Sequence, residues 1–265
     1  MRKLRLAALT AVLTVVPALG AFAQSNEGQV IVVHGVPDLL VDVYVNDALT
    51  LEDFAYGDVA GPLALPEGSY EIAVFAADAD PATDMPALGG SADLPAGAVA
   101  TIAAYLQEGG TPTLGVFVEN NGAIDAGNAR VTARHLADFG AVDVLANDGA
   151  VFEGVTNGQG GDADVPADTY NIKVTAAGDP ATVAFDADVA LAEGTNTIAY
   201  AVGSVAGGSF QVVTAAISGL GDAPTGVPTG TAGLAGSMHP ALVAAFAMLS
   251  LAAIGGSVAV ARNRR

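Results

Sequence analysis

The chain has 265 residues, with 28 Asp and Glu against nine Lys and Arg, a formal net charge of −19 and no cysteine. So acidic a surface repels phosphate backbones and argues against nucleic acid as a partner. The missing thiol excludes disulfides and a cysteine-linked lipid anchor, so exported domains must stand on their cores alone.

Residues 1–23 read as a secretory signal peptide. Met1-Arg2-Lys3-Leu4-Arg5 is basic, an uncharged apolar stretch follows to about Val16, Pro17 breaks it, and Ala21-Phe22-Ala23 supplies the small-x-small cleavage pattern. The apolar part is too short to span a bilayer.

A module that occurs twice follows, expected over residues 24–121 and 122–218. Val41-Asp42-Val43-Tyr44-Val45-Asn46-Asp47 returns as Val142-Asp143-Val144-Leu145-Ala146-Asn147-Asp148, and His34 returns as His135. Leu65-Pro66-Glu67-Gly68-Ser69-Tyr70 is matched by Val165-Pro166-Ala167-Asp168-Thr169-Tyr170. Within each copy the periodicity is that of strands. Val41, Val43 and Val45 face one way and Asp42, Tyr44 and Asn46 the other, while Tyr70, Ile72 and Val74 alternate with Glu71, Ala73 and Phe75.

One apolar and one polar side predict antiparallel sheets, and closely spaced glycines divide the first copy into about seven or eight strands. The expected fold class is all-β: two tandem antiparallel β-sandwiches of immunoglobulin-like type. Asp148-Gly149 suits the positive dihedrals of a tight hairpin. Pro66 and Pro166 before Tyr70 and Tyr170 suggest a corner in which the phenol hydroxyl ties down the crossing chain.

Residues 219–239, rich in Gly, Pro and Thr, read as a flexible stalk with a reach of roughly 20–25 Å. Residues 240–261 are predicted to form one transmembrane helix, since Ala241 to Ala261 carry no charge. Arg262-Asn263-Arg264-Arg265 would be a cytoplasmic tail by the positive-inside rule. The layout is that of a single-pass protein of the cell membrane with extracellular modules, whose membrane partner is met through the C-terminal helix. Without the two ends, the modules keep only Arg130, Arg134 and Lys173 as basic residues against all 28 acids. Such a surface favours cations, basic partners and solubility in high salt.

Val33-His34-Gly35-Val36-Pro37-Asp38, Val41-Asp42-Val43-Tyr44-Val45, Phe54-Ala55-Tyr56-Gly57 and Leu65-Pro66-Glu67-Gly68-Ser69-Tyr70 together resemble the bacterial domain of unknown function 4397 family, in two tandem copies. The second copy departs from the pattern in Leu136-Ala137-Asp138, in Asn157 at the position of Tyr56, and in Asp168 at that of Gly68. The resemblance implies an exported sandwich repeat and no catalytic activity.

Candidate chemistry is sparse. His34 has Asp38 and Asp42 nearby, and His135 has Asp138 and Asp143; each set could be a structural hydrogen bond, an acid–base pair or part of a metal site. No Gly-x-Ser-x-Gly elbow is present, and Gly158-Gln159-Gly160-Gly161 lacks the lysine of a phosphate loop. Calcium is the one ion suggested, through Asp78, Asp80 and Asp84 and through Asp162, Asp164 and Asp168, although neither set has the spacing of a twelve-residue calcium loop. Tyr44, Tyr56 and Phe75 are candidate stacking residues, with Leu145, Asn157 and Ala176 in comparable places of the second copy.

The expected role is non-catalytic: adhesion, spacing or envelope organisation at the cell surface. The alternative is a binding or sensor module for a cation, carbohydrate or envelope polymer. The copies differ at Tyr44, Tyr56, Arg130, Arg134 and Lys173, which are expected at the surface.

Overall fold

The computed structural model describes residues 26–221; the expected signal peptide, nearly all of the stalk, the hydrophobic segment and the basic tail lie outside them. Among the described residues no helix is long and apolar enough to cross a membrane, and every regular element is a strand. The first module comprises β1 (Glu27–His34), β2 (Val41–Val45), β3 (Ala48–Phe54), β4 (Val59–Pro66), β5 (Gly68–Ala76), β6 (Leu88–Leu94), β7 (Val99–Leu106) and β8 (Pro112–Glu119). The second comprises β9 (Asn128–Asp138), β10 (Val142–Ala146), β11 (Gly149–Val155), β12 (Gln159–Pro166), β13 (Thr169–Ala176), β14 (Asp179–Ala190), β15 (Asn196–Ser204) and β16 (Gln211–Ile217).

Each module is a pair of four-stranded sheets. The orders β4-β1-β7-β8 and β3-β2-β5-β6 of the first return as β12-β9-β15-β16 and β11-β10-β13-β14 in the second. The expectation of purely antiparallel sheets is corrected in one respect: β1 pairs with β7, and β9 with β15, in parallel. Between β1 and β7 the chain passes through the whole of the facing sheet, which is connection enough for parallel pairing. Residue alternation reports sidedness, not direction, and is identical in both arrangements.

The tight hairpins occur where the repeat places them, one residue earlier than Asp148-Gly149 suggests. Asn147 and Asp148 carry the positive φ values of 49° and 65°, as Asn46 and Asp47 do at 49° and 63°, the signature of a two-residue primed turn. Both corners form: the Tyr70 hydroxyl donates to the Pro66 carbonyl at 2.6 Å and that of Tyr170 to Pro166 at 2.9 Å.

The sidedness of β1 explains how the modules meet. Val30 packs inward with Val41, Val43, Ile72 and Val74 in the first sandwich. Ile31 and Val33, on the opposite face, pack with Ala103 and Tyr105 against Leu136, Ile198, Tyr200 and Val202 of the second module. The central strands β1, β7, β9 and β15 are therefore covered on both faces, and all eight residues of β7 are buried. The four sheets stack as four layers, with the seam between modules in the middle.

A polar chain crosses this seam. The Tyr200 hydroxyl meets Thr101 Oγ1 at 2.7 Å, Thr101 donates to Glu119 Oε1 at 2.8 Å, and Arg134 Nη2 donates to Glu119 Oε2 at 2.8 Å and to the Val118 carbonyl at 3.0 Å. With the Thr101 proton given to Glu119, Tyr200 must be the donor to Thr101. The Arg134 guanidinium also lies over the Phe117 ring, 5.3 Å from its centroid. Arg130, buried on β9, grips Asp164 through Nε at 2.6 Å and Nη2 at 2.9 Å and donates to the Gly122 carbonyl, fixing the connection between modules. Ile124 of that connection is fully buried, its N–H donates to the Leu220 carbonyl, and Leu220 in turn donates to Gly194. Leu220 and Gly221, the first residues toward the expected stalk, thus belong to the folded unit.

Removing one partner of a buried ion pair strands the other, so Arg134→Ala is expected to destabilise the folded unit by about 3–5 kcal/mol. Urea unfolding that changed by a few tenths of a kcal/mol would contradict the seam. Tyr70→Phe, which deletes only the partly exposed corner bond, is expected to cost about 0.5–1 kcal/mol in the same assay.

Candidate functional site

The two histidines sit at equivalent places, at the inner end of each sandwich, with 1% and 2% of their surface exposed. His34 Nε2 lies 2.9 Å from the Leu39 carbonyl, and His135 Nε2 lies 3.0 Å from the carbonyls of Phe139 and Gly140. Carbonyl oxygens only accept, so Nε2 carries the proton in both rings and Nδ1 is left as a bare acceptor. Among the described residues, neither Nδ1 has a hydrogen-bond partner. Burial pushes both imidazoles below their ordinary pKa, despite the opposing pull of the carbonyls. Each histidine is a neutral tie that holds the β1–β2 or β9–β10 connection across the end of its sandwich.

The aspartates expected beside them serve elsewhere. Asp42 Oδ1 accepts from the Asp53 N–H at 2.9 Å; Asp143 accepts from Gly154 at 2.7 Å and Gly178 at 2.8 Å. Asp138 reaches into the first module, accepting from the Gly109 N–H at 2.9 Å. The histidine–carboxylate pairs do not form because a strand-end histidine faces the sandwich interior, whereas Asp42 and Asp143 point to the outer face of the next strand.

Asp78, Asp80 and Asp84 all lie exposed on the β5–β6 connection, where Asp84 Oδ2 accepts from the Asp80 N–H at 2.8 Å and Asp80 Oδ1 from Ala82 at 3.0 Å. Asp162 and Asp164 project from β12 toward Arg130, at 3.9 and 2.6 Å from its Nε. Asp168 sits at the β12–β13 corner and caps the Thr169 N–H at 2.7 Å. Among the described residues, no three His, Asp or Glu side chains gather in a way that could hold a metal ion.

Tyr44 and Phe75 meet edge to face on the outer surface of the β3-β2-β5-β6 sheet, with ring centroids 5.4 Å apart and planes at 77°. Phe75 is only 7% exposed there. Tyr56 is not with them: its hydroxyl donates to the Ser209 carbonyl of the second module. Asn157, its counterpart, reaches back and donates to Leu106 at 2.9 Å and Ala137 at 2.7 Å. The differences between copies at Tyr56, Arg130 and Arg134 therefore serve contacts within the folded unit, contrary to the surface role expected for them. Lys173 alone of the three basic residues is a surface group, paired with Asp148 at 2.6 Å.

Sequence reasoning did not find the unfilled space between the sheets of each sandwich, about 250 Å³ in the first and about 100 Å³ in the second. Its signal is in the residue sizes: Ala92 and Ala100 line the first space, and Ala146, Ala199 and Ala201 the second. Only 6% of the chain is aromatic and there is no tryptophan to fill the gap.

With the strand order and corners established, residues 28–145 match the model of a family described as a domain of unknown function, DUF4397. The DUF4397 match begins in β1, takes in the whole first module and the connection, and ends in β10. A search of curated proteins finds no match to the chain.

The histidine environment has a pH signature. With both folded-state pKa values below 6.5, neither state is protonated well above that pH, and the native fold carries no penalty there. Below 6.5 the unfolded chain binds protons that the native rings refuse, so stability falls until the folded pKa is reached. The melting temperature of the wild type, relative to a His34→Gln/His135→Gln variant, is expected to drop between pH 7 and 5.5. A difference that stayed flat or rose over that range would show the rings to be free to charge.

Proposed function

We propose that the chain is a non-catalytic cell-surface protein that displays two DUF4397-type sandwiches, the second module being a second copy of the first, as one rigid body. The seam carries this reading: an adhesive, spacing or envelope-organising element must resist bending, and Glu119–Arg134 with the apolar contacts around Ile31 and Tyr200 joins the modules face to face. The tyrosine corners at Tyr70 and Tyr170 support an immunoglobulin-like character for both sandwiches. The basic and apolar N-terminus supports export. The charge-free run Ala241 to Ala261 followed by arginines supports single-pass retention with the modules outside.

The alternative, a binding or sensor module, is favoured by the space inside the two sandwiches. Among its possible ligands, calcium has the least support in the placement of Asp78 to Asp84 and Asp162 to Asp168.

Fractionation and protease treatment of intact cells test localisation. The protein is expected in the membrane fraction with its modules cleavable or antibody-accessible from outside, and deletion of residues 240–265 is expected to release it to the medium. Recovery of the full-length protein in the cytosol would overturn the proposal.

A further inference from the structure

The geometry points to the interior of each sandwich as a binding site for an uncharged, unbranched hydrocarbon chain lying between the two sheets, with a hydroxyl head in the second; this rests on the binding-module reading above. In the first module the space is bordered by Val30, Val43, Leu65, Tyr70, Ile72 and Ile102. In the second it is bordered by their counterparts Val131, Val144, Val165, Tyr170, Ile172 and Ala199. A gap that recurs at matching positions of two diverged copies belongs to the module's design and not to one local misfit. The first, at about 250 Å³, exceeds the roughly 150 Å³ of an apolar cavity that takes up benzene.

The second space is smaller, about 100 Å³, but its lining is incompletely packed. The inner faces of the second sandwich are apolar, yet Val131, Ala146, Phe152, Ile172 and Phe185 are only half-buried, whereas the seam residues beside them are sealed. An apolar occupant would complete that core. The lining runs along β10 from Val142 to Ala146 and along β13 from Tyr170 to Val174. At about 3.3 Å per residue this is a slot of roughly 13 Å, shaped for a chain more than for a ring.

Charge and hydrogen bonding narrow the head group. The charged side chains bordering the two spaces are already engaged, Asp93 with Ser69 and Arg134 with Glu119, so neither can balance an ionised ligand. The acidic modules repel carboxylates and phosphates. His135 borders the second slot, and among the described residues its buried Nδ1 has no donor; a hydroxyl supplies one.

The test titrates the full chain with 1-octanol and with octanoate while following thermal unfolding. Octanol is expected to raise the melting temperature by roughly 2–4 °C at saturation and octanoate to leave it unchanged. A variant that fills both slots, Ala100→Leu/Ala199→Leu, is expected to melt at or above the wild-type temperature and to lose the octanol shift. Should it fold poorly, Ala146→Leu, nearer the slot's rim, is used to block the second slot alone and is expected to diminish the shift. No octanol shift in the wild type, or one that survives filling, overturns the slot. If octanol fails while calcium or envelope polysaccharide stabilises the protein, the slot is wrong and the binding-module reading stands. If none of them does so, both fall.

Discussion

The central strands of two of the four sheets have no face toward water, and this constraint governs much else in the molecule. A strand such as β7 must be apolar on both sides, and every polar group placed there must find a partner inside. Val99, Ala103 and Tyr105 meet the second module while Ala100, Ile102 and Ala104 meet the first sandwich or its end. Tyr200, Thr101, Glu119 and Arg134 form one connected chain, while Thr132 donates to Asn196 and Arg130 to Asp164 apart from it. A buried ion pair adds little net stability compared with well-packed hydrocarbon, but an unpaired member is costly. The pair therefore selects the one docking in which both charges are satisfied.

The modules meet through equivalent faces, as the subunits of a two-fold dimer do. The reciprocity is visible at one position: Tyr56 of the first copy bonds to Ser209 of the second, and Asn157 of the second bonds to Leu106 of the first. Covalent fusion relaxes the symmetry. The carboxylate can sit on one copy alone and the guanidinium on the other, which a dimer of identical chains could arrange only by carrying both in each subunit. Arg130 reinforces the arrangement by holding the connection near Gly122 against β12.

Packing is unevenly distributed. Ile31, Leu136, Ile198 and Tyr200 close the centre of the seam, whereas valine and alanine line the sandwich interiors and leave space between sheets. The stability of the unit is thus concentrated where the copies join. The interiors, the second of them bordered by the neutral His135, leave room that lies apart from the join.

Much of the first level of organisation was legible in the sequence. The duplication showed two modules, period-two alternation showed strands and which residues share a face, and Pro66 with Tyr70 showed a corner that the structure forms in both copies. Alternation could not show what lies against each face, because Ile31 and Val33 read the same whether they meet solvent, a lipid or another sheet. It could not show that β1 and β7 run parallel, since strand direction leaves no periodic trace. It assigned Arg134 and Tyr56 to the surface because charge and hydroxyl groups are usually there; only the long-range juxtaposition with Glu119 and Ser209 supplies the partners that let them be buried. The sequence by itself determined the strands, the sidedness and the turns, which depend on neighbours within a few residues. The tertiary structure alone decided the seam and the unfilled interiors, which depend on side chains about a hundred residues apart meeting, or failing to meet, in space.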